Sequence, residues 1–456
     1  MVKTSSLVQK LVAAPLLAAC VMGVGSSRSV AQDIPRLPSL REQAEIQQGW
    51  LERRLETVLP RLMREHHIDM WIVPMSEYNE DPVFPALVSP TRFAARRRTI
   101  FVFYDRGDSA GVERLALGGG SESGVYQSLK DPYDPTHVLY LDPQWEVLRR
   151  VVEERQPEAI GINASTFYDK FGDGLASGER ELLERALGPK WSARFVPAGL
   201  LPVEYLATRI PEMMPYYRKM MQIVHALIAT AFSNEVITPG ETTTTDVEWW
   251  LRQRVHDMAM GSWFQPSVEV QRRGASEAAI FGMSGVIERG DVLHVDFGIY
   301  ATGLATDTQH MGYVLREGES DVPDGLKQAL RTANRLQDIL LSQMKPGRTG
   351  NQVQTAALAQ MNKEGITGRI YTHPIGDYGH GPGPTIGLVD RQEGEPKGNI
   401  HIIPNTWYSI ELYAASKVPE WDGQVVGMPL EEDAAVTAEG KMEWILKRQT
   451  EFHIVR

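Results

Sequence analysis

Apolar positions along this chain recur with two periods. Over 39–66, Leu40, Ile46, Trp50, Leu51, Leu55, Val58 and Leu62 return at helical spacing, which predicts one long amphipathic helix. The runs DMWIVP (69–74) and TIFVFY (99–104) are instead short, apolar and rich in β-branched and aromatic residues, the pattern of strands. Further strands are predicted near 114–117, 137–141 and 159–162, and helices over 145–154 and 178–187. Such interleaving implies an α/β domain over 38–200. Helix follows over 202–233, broken at Pro211, so the boundary of a second domain, 215–456, falls within 200–215. That domain opens with a helix (243–260) and a strand (266–271). A hairpin comes next, then helices over 324–344 and 350–364, then strands to the C-terminus. No internal repeat or low-complexity tract interrupts the pattern.

The hairpin is the stretch GDVLHVDFGIYATGLATDTQHMGYV (290–314). Residues 291–298 alternate as a half-buried strand with Val292, His294 and Asp296 on one side. Gly303 stands where a turn is needed, and a second apolar run follows over 304–315. Folding one run on the other brings Asp296 to Asp307. Two carboxylates facing each other in an apolar site repel, so one would take up a proton unless a cation lay between them. A divalent metal is the economical account; the alternative is that each Asp caps a turn or pairs with an arginine.

Composition narrows the chemistry. The chain of 456 residues has length for two or three domains, and its net charge of −11, with no long basic run, argues against a nucleic-acid partner. Lys3 and Lys10, the apolar run 11–25 and Ser29-Val30-Ala31 before Gln32 form a signal peptide over 1–31, so the protein is expected to be exported, with the periplasm its place. The alternative is that Leu17-Ala18-Ala19-Cys20 is a lipobox, which would anchor the chain to a membrane through Cys20. Cys20 is the only cysteine, so a metal in the mature domain must be held by carboxylates and imidazoles.

Three more residues qualify. His380 lies between glycines in YTHPIGDYGHGPGPTIGL (371–388), where close backbone approach is available. YSIELY (408–413) and MPLEEDAAVT (428–437) read as strands that place Glu411 and Glu431 among large apolar neighbours, where an unpartnered carboxylate is costly. Two Asp, two Glu and one His make a set of hard ligands for a pair of Mn, Co, Zn or Fe ions.

Asp296 in HVDFG, Asp307 in ATDTQ, His380 in GHGPG, Glu411 in YSIELY and Glu431 in PLEED together resemble the dimetal signature of the pita-bread (M24-type) metallopeptidases. That family includes aminopeptidase P, prolidase, methionine aminopeptidase and the metal-free relative creatinase. MWIVPMSEYNEDP (70–82) and AARRRTIFVFYDRG (94–107) are similar to the creatinase-type N-terminal domain of aminopeptidase P and prolidase. The resemblance implies an α/β N-terminal domain followed by an α+β pita-bread catalytic domain. It also implies two divalent ions, manganese first among them, and a homodimer in which one N-terminal domain caps a neighbouring site. Asp296 and Glu431 would help bridge the ions, Asp307 would serve one, and His380 and Glu411 the other. The reaction implied is peptide-bond hydrolysis by a water shared between the ions, with Glu411 relaying its proton and a small Xaa-Pro peptide as substrate.

Around the ligands the pattern departs from the family. Ala279-Ile280-Phe281 stands where an HY-type motif is expected, Asp390-Arg391 stands in place of a histidine, and Pro429 replaces an arginine two residues before the last ligand. His373 is the candidate to replace a missing imidazole, and His310 another polar group, both as catalytic residues. Asp422, Glu432 and Asp433 are candidates to support the ligands, and Trp407, Trp421 and Trp444 to line the pocket. The departures leave two other readings open: a dimetal hydrolase of a non-proline amide or phosphoester, and a non-catalytic binding protein.

Overall fold

A computed structural model describes residues 34–168, 170–275 and 282–456, and Ile34–Arg456 form one compact unit. The export signal read over 1–31, with Cys20, lies outside the described residues, as does Ala279-Ile280-Phe281. Among the described residues no helix is long and apolar enough to cross a membrane.

The first amphipathic stretch makes two helices. Helix α1 (Leu40–Thr57) opens on a reciprocal capping box between Ser39 and Glu42. It gives way at Val58 to α2 (Leu59–Glu65), because Pro60 has no N–H with which to continue α1. Strands β1 (Met70–Ser76), β2 (Arg98–Asp105), β3 (Val112–Leu117), β4 (Gln127–Leu129), β5 (Ile160–Ile162) and β6 (Phe195–Pro197) form one mixed sheet in the order β4-β3-β2-β1-β5-β6. Both faces are covered, which is why β1 and β2 read as unbroken apolar runs. Met70, Ile72, Ile100 and Val102 pack beneath α3 (Asp142–Arg155) and α4 (Ser177–Ser192). Trp71, Val73, Phe101 and Phe103 face the opposite way, into the larger core. The strand expected at 137–141 is absent: Val138 makes a single bridge to Lys130. Pro132 and Pro135 interrupt that segment, and Asp131 and Asp134 turn it by accepting from the backbone N–H groups of Tyr133 and Thr136.

Helix α5 (Leu201–Ala207) and, beyond the break at Pro211, α6 (Met214–Ala231) carry the large core into the second half of the chain. After α7 (Thr244–Asp257) come β7 (Ser267–Gln271), β8 (Val292–Asp296), β9 (Tyr300–Ala301), β10 (Leu304–Ala305) and β11 (Gln309–Val314). Helices α8 (Asp324–Gln343) and α9 (Gly350–Lys363) lead to β12 (Thr367–Ile370), β13 (His373–Ile375), β14 (Thr406–Ser409), β15 (Leu412–Val418), β16 (Gln424–Leu430), β17 (Asp433–Val436), β18 (Met442–Trp444) and β19 (His453–Val455). Among the described residues these strands form the two-stranded ribbon β10-β9 and three larger sheets, ordered β19-β11-β8-β7, β12-β15-β16 and β13-β14-β17-β18. Met311 and Tyr313 of β11, α8 and β14 to β17 enclose a second core.

Candidate metal centre

The central hairpin is built as its sequence predicts. Thr302 (φ 51°) and Gly303 (φ 71°) form a two-residue turn between β9 and β10, the left-handed pair that suits tight hairpins. At the base of the hairpin a Cβ on Gly298 would stand 2.1 Å from the Thr306 carbonyl oxygen. Glycine there lets the two arms close, with Asp296 opposite Gln309 at the end of β8 and Asp307 just ahead of β11.

The two glutamates depart from the sequence reading. Neither lies within a strand. Glu411 occupies the junction between β14 and β15, and Glu431 the junction between β16 and β17. Each pair of strands belongs to two different sheets, so both carboxylates stand at one corner where the chain passes between them. Glu431 is pinned to the hairpin by backbone hydrogen bonds in both directions with Gln309, at 3.1 and 3.2 Å. Its side chain accepts from Gln309 Nε2 (2.8 Å) and Ser409 Oγ (2.7 Å).

Oxygen and nitrogen donors converge on that corner. Asp296, Asp307 and Glu431 bring ligand atoms within 4.8 Å of one another; so do His373, Glu411 and Glu431, and so do Asp307, His373 and His380. His373 is buried on β13 and its Nδ1 donates to the Pro374 carbonyl at 3.0 Å. A carbonyl only accepts, so in the neutral ring the lone pair falls on Nε2, which faces Glu431 Oε1 at 3.5 Å and Asp307 Oδ2 at 3.7 Å. His380 comes from the loop after β13, its ring 4.8 Å from that of His373. Glycines on both sides are required there: a Cβ at Gly379 would strike the Trp263 ring at 2.4 Å, and one at Gly381 the Pro374 carbonyl oxygen at 2.8 Å.

This donor set fits divalent metal. Among the described residues no lysine or arginine pairs with Asp296, Asp307, Glu411 or Glu431, and Asp296 Oδ1, His373 Nε2 and Asp433 Oδ1 are buried without a hydrogen-bond partner. Burial first, and then the neighbouring Glu431, push Asp296, Asp307 and Glu411 well above the ordinary carboxylate range. Desolvation, with the His373 ring beside it, takes His380 down to about 4. These are the marks of a site that needs positive charge.

A pocket of about 160 Å³ opens beside the corner, lined by Glu411 together with Glu269, His294, Gln309, Arg369, Tyr371 and Pro429 among others. Asp433 supports the ligands: its Oδ2 accepts from Tyr217 Oη (2.8 Å) and from the Asp307 backbone N–H (3.3 Å). The other assignments are corrected. His310 projects from β11 away from the corner and meets Glu432, which faces the same way. Asp422 is exposed and pairs with Arg273. Trp407 stacks on Tyr217 in the core, Trp421 is buried beneath α8, and Trp444 packs against the second core; none of the three lines the pocket. The supports that sequence reasoning missed, Gln309, Ser409 and Tyr217, are polar side chains in apolar runs. For Gln309 the signal was present, two positions after Asp307.

Residues 215–438 match the family model described as metallopeptidase family M24. No curated protein sequence matches the chain. Among solved structures, the X-Pro aminopeptidase from Thermotoga maritima MSB8 is similar with a TM-score of 0.59 at 15% identity, over 87% of this chain and 100% of that one. The Xaa-Pro dipeptidase from Bacillus anthracis gives a TM-score of 0.55 at 16% identity, over 90% and 100%. The N-terminal domain of the FACT complex subunit SPT16 from Cicer arietinum gives 0.55 at 11% identity, over 90% and 99%. At such identities the likeness carries the fold. It is the architecture expected from the motifs, a pita-bread domain preceded by an α/β domain.

Proposed function

Because residues 215–438 belong to metallopeptidase family M24, we propose that this protein is a dimetal peptidase that cleaves the bond before proline in small peptides, as an Xaa-Pro aminopeptidase or dipeptidase. The observation that carries this reading is the convergence of four carboxylates and His373 Nε2 on one buried corner, with Glu411 of that set bordering a pocket. Asp296, Asp307, Glu411, Glu431, His373 and His380 would hold the ions, with manganese the first choice and zinc, cobalt or iron alternatives. When bound, two such ions supply Lewis acidity, polarising the scissile carbonyl and lowering the pKa of a water.

The remaining steps fall to side chains. Glu411 borders the pocket, and its raised pKa suits it to take a proton from the attacking water and return it to the leaving nitrogen. Tyr371, held above its ordinary value by burial and the nearby Glu411, stays a phenol and offers a donor to the developing oxyanion. Gln309 and Ser409 fix Glu431, and Asp433 fixes the backbone of Asp307. Export and a homodimer belong to the same reading; N-terminal sequencing of secreted protein and sedimentation test them.

The deciding experiment is a panel of Xaa-Pro and Xaa-Ala dipeptides and tripeptides plus a phosphomonoester. The purified chain is assayed metal-stripped and after adding Mn²⁺ or Zn²⁺. Metal-dependent cleavage before proline is expected, falling about 10²–10⁴-fold or more in Glu411→Gln. Pro429 stands in the pocket where the family's arginine is expected. Turnover of the alanine peptides or the phosphoester alone would therefore assign the site to a non-proline amide or a phosphoester, and binding without any turnover to a non-catalytic role.

A further inference from the structure

Behind the junction that carries Glu431 lies a second group of ligating side chains that the proposed hydrolysis does not use. Side chains alternate along 431–433, so Glu432 projects opposite to Glu431 and Asp433. Its Oε1 lies 2.6 Å from His310 Nε2 and its Oε2 2.9 Å from His225 Nε2. The side chains of Glu432 and His310 are 2% and 3% exposed, and that of His225 12%. The two imidazoles stand nearly perpendicular with centroids 4.8 Å apart. On the far side of His310, its Nδ1 lies 3.1 Å from His453 Nε2, with the rings stacked.

We propose that His225, His310 and Glu432 form a structural site for one divalent transition-metal ion, best suited to Zn²⁺ and separate from the dimetal corner. The three residues bring ligand atoms within 4.8 Å of one another. Two imidazole nitrogens and a glutamate carboxylate are donors by which proteins hold zinc. Both Nε2 atoms aim at the same carboxylate, so without an ion each must carry a proton there. An ion takes the place of both protons, and the His310 Nδ1–H is then free to donate to His453 Nε2. That is how metal-bound imidazoles are commonly oriented.

The four residues come from α6, β11, the β16–β17 junction and β19, elements far apart in sequence. None of them lines the pocket. An ion there would clamp the C-terminal strand and α6 onto the junction that carries Glu431. The backbone oxygen of Glu432 also accepts from Ile410 N–H at 2.9 Å, next to Glu411. The role is therefore a staple for the frame, and it holds whether or not the corner cleaves peptides.

The test uses crystals of the unaltered chain equilibrated with zinc chloride, with data collected at the zinc absorption edge. An anomalous peak bonded to His225 Nε2 and His310 Nε2 is expected; its absence overturns the proposal, whatever the corner binds. In solution, His225→Gln and Glu432→Gln should each lower the zinc content by one ion per chain and abolish the part of the zinc-induced rise in Tm due to that ion. An unchanged zinc count in a folded variant also overturns it.

Discussion

His373 holds a bare Nε2 3.5 Å from Glu431 Oε1, while its Nδ1 is spent on the Pro374 carbonyl at 3.0 Å. The backbone has thus set the tautomer, and the free nitrogen is presented as a ligand. This differs from the catalytic part given to His373 on sequence grounds. Replacing it should act first on metal affinity. His373→Ala is expected to weaken binding of one ion by about 10–100-fold or more, by analogy with the loss of groups that merely orient ligands. Competition against a chromophoric chelator measures this; an affinity equal to that of the unaltered chain would return His373 to a catalytic role.

Much of this site was legible because its candidate ligands sit in short apolar runs where a carboxylate is conspicuous. Asp296 and Asp307 could be paired from the hairpin pattern alone. Glu411 and Glu431 stood out as carboxylates in apolar runs, but in the wrong local structure. Alternation cannot reveal that a run such as YSIELY leaves one sheet and enters another, since that depends on partners distant in sequence. His310 failed for a related reason: on β11 it faces away from Gln309, and face is fixed by register. The helices read well where capping boxes mark their starts, as at Ser39, Thr243 and Thr349.

Asp377 joins the two halves of the chain. Its Oδ1 lies 3.3 Å from Arg54 Nη1 on α1 and its Oδ2 2.6 Å from Arg209 Nη1, all three side chains being nearly buried. Asp377→Asn would leave two buried guanidinium groups unpaired, so a loss of about 3–5 kcal/mol is expected in urea unfolding. Burial opposes ionisation of Asp377, but Arg209 and Arg54 outweigh it and hold the carboxyl below its ordinary value. A depressed folded pKa gives stability that is present above the unfolded value of about 3.9 and lost as pH falls through the folded one. The gap in stability between the unaltered protein and the Asp377→Asn variant should therefore shrink in acid; a constant gap would show that the pair contributes no charge.

The metal corner has the opposite sign. Asp296, Asp307 and Glu411 have folded values raised by burial and by Glu431, so the metal-free fold binds more protons than the unfolded chain. Its stability from these groups falls as pH rises above about 4. Bound cations remove that penalty, and the rise in Tm on adding Mn²⁺ should be larger at pH 8 than at pH 5. Calorimetry of stripped and loaded protein at the two pH values checks this. A rise that is equal at both would mean that the carboxylates carry no such strain.

Gly298 decides whether the hairpin can deliver Asp307 at all. A Cβ there would stand 2.1 Å from Thr306 O and 2.9 Å from Trp263 Nε1, which itself donates to Thr306 O at 2.9 Å. Backbone cannot yield as a flexible side chain does, so Gly298→Ala must part the arms beside Asp296 and Asp307. The strands on either side remain paired in the sheet, and the damage should stay local. The expected result is a protein that still unfolds cooperatively but binds fewer than two ions at the corner and loses most metal-dependent turnover. Metal counting against a denaturation curve separates the two effects. Full metal content with native turnover would show that the arms have room to spare, and that the closeness of Asp296 and Asp307 does not depend on the missing side chain.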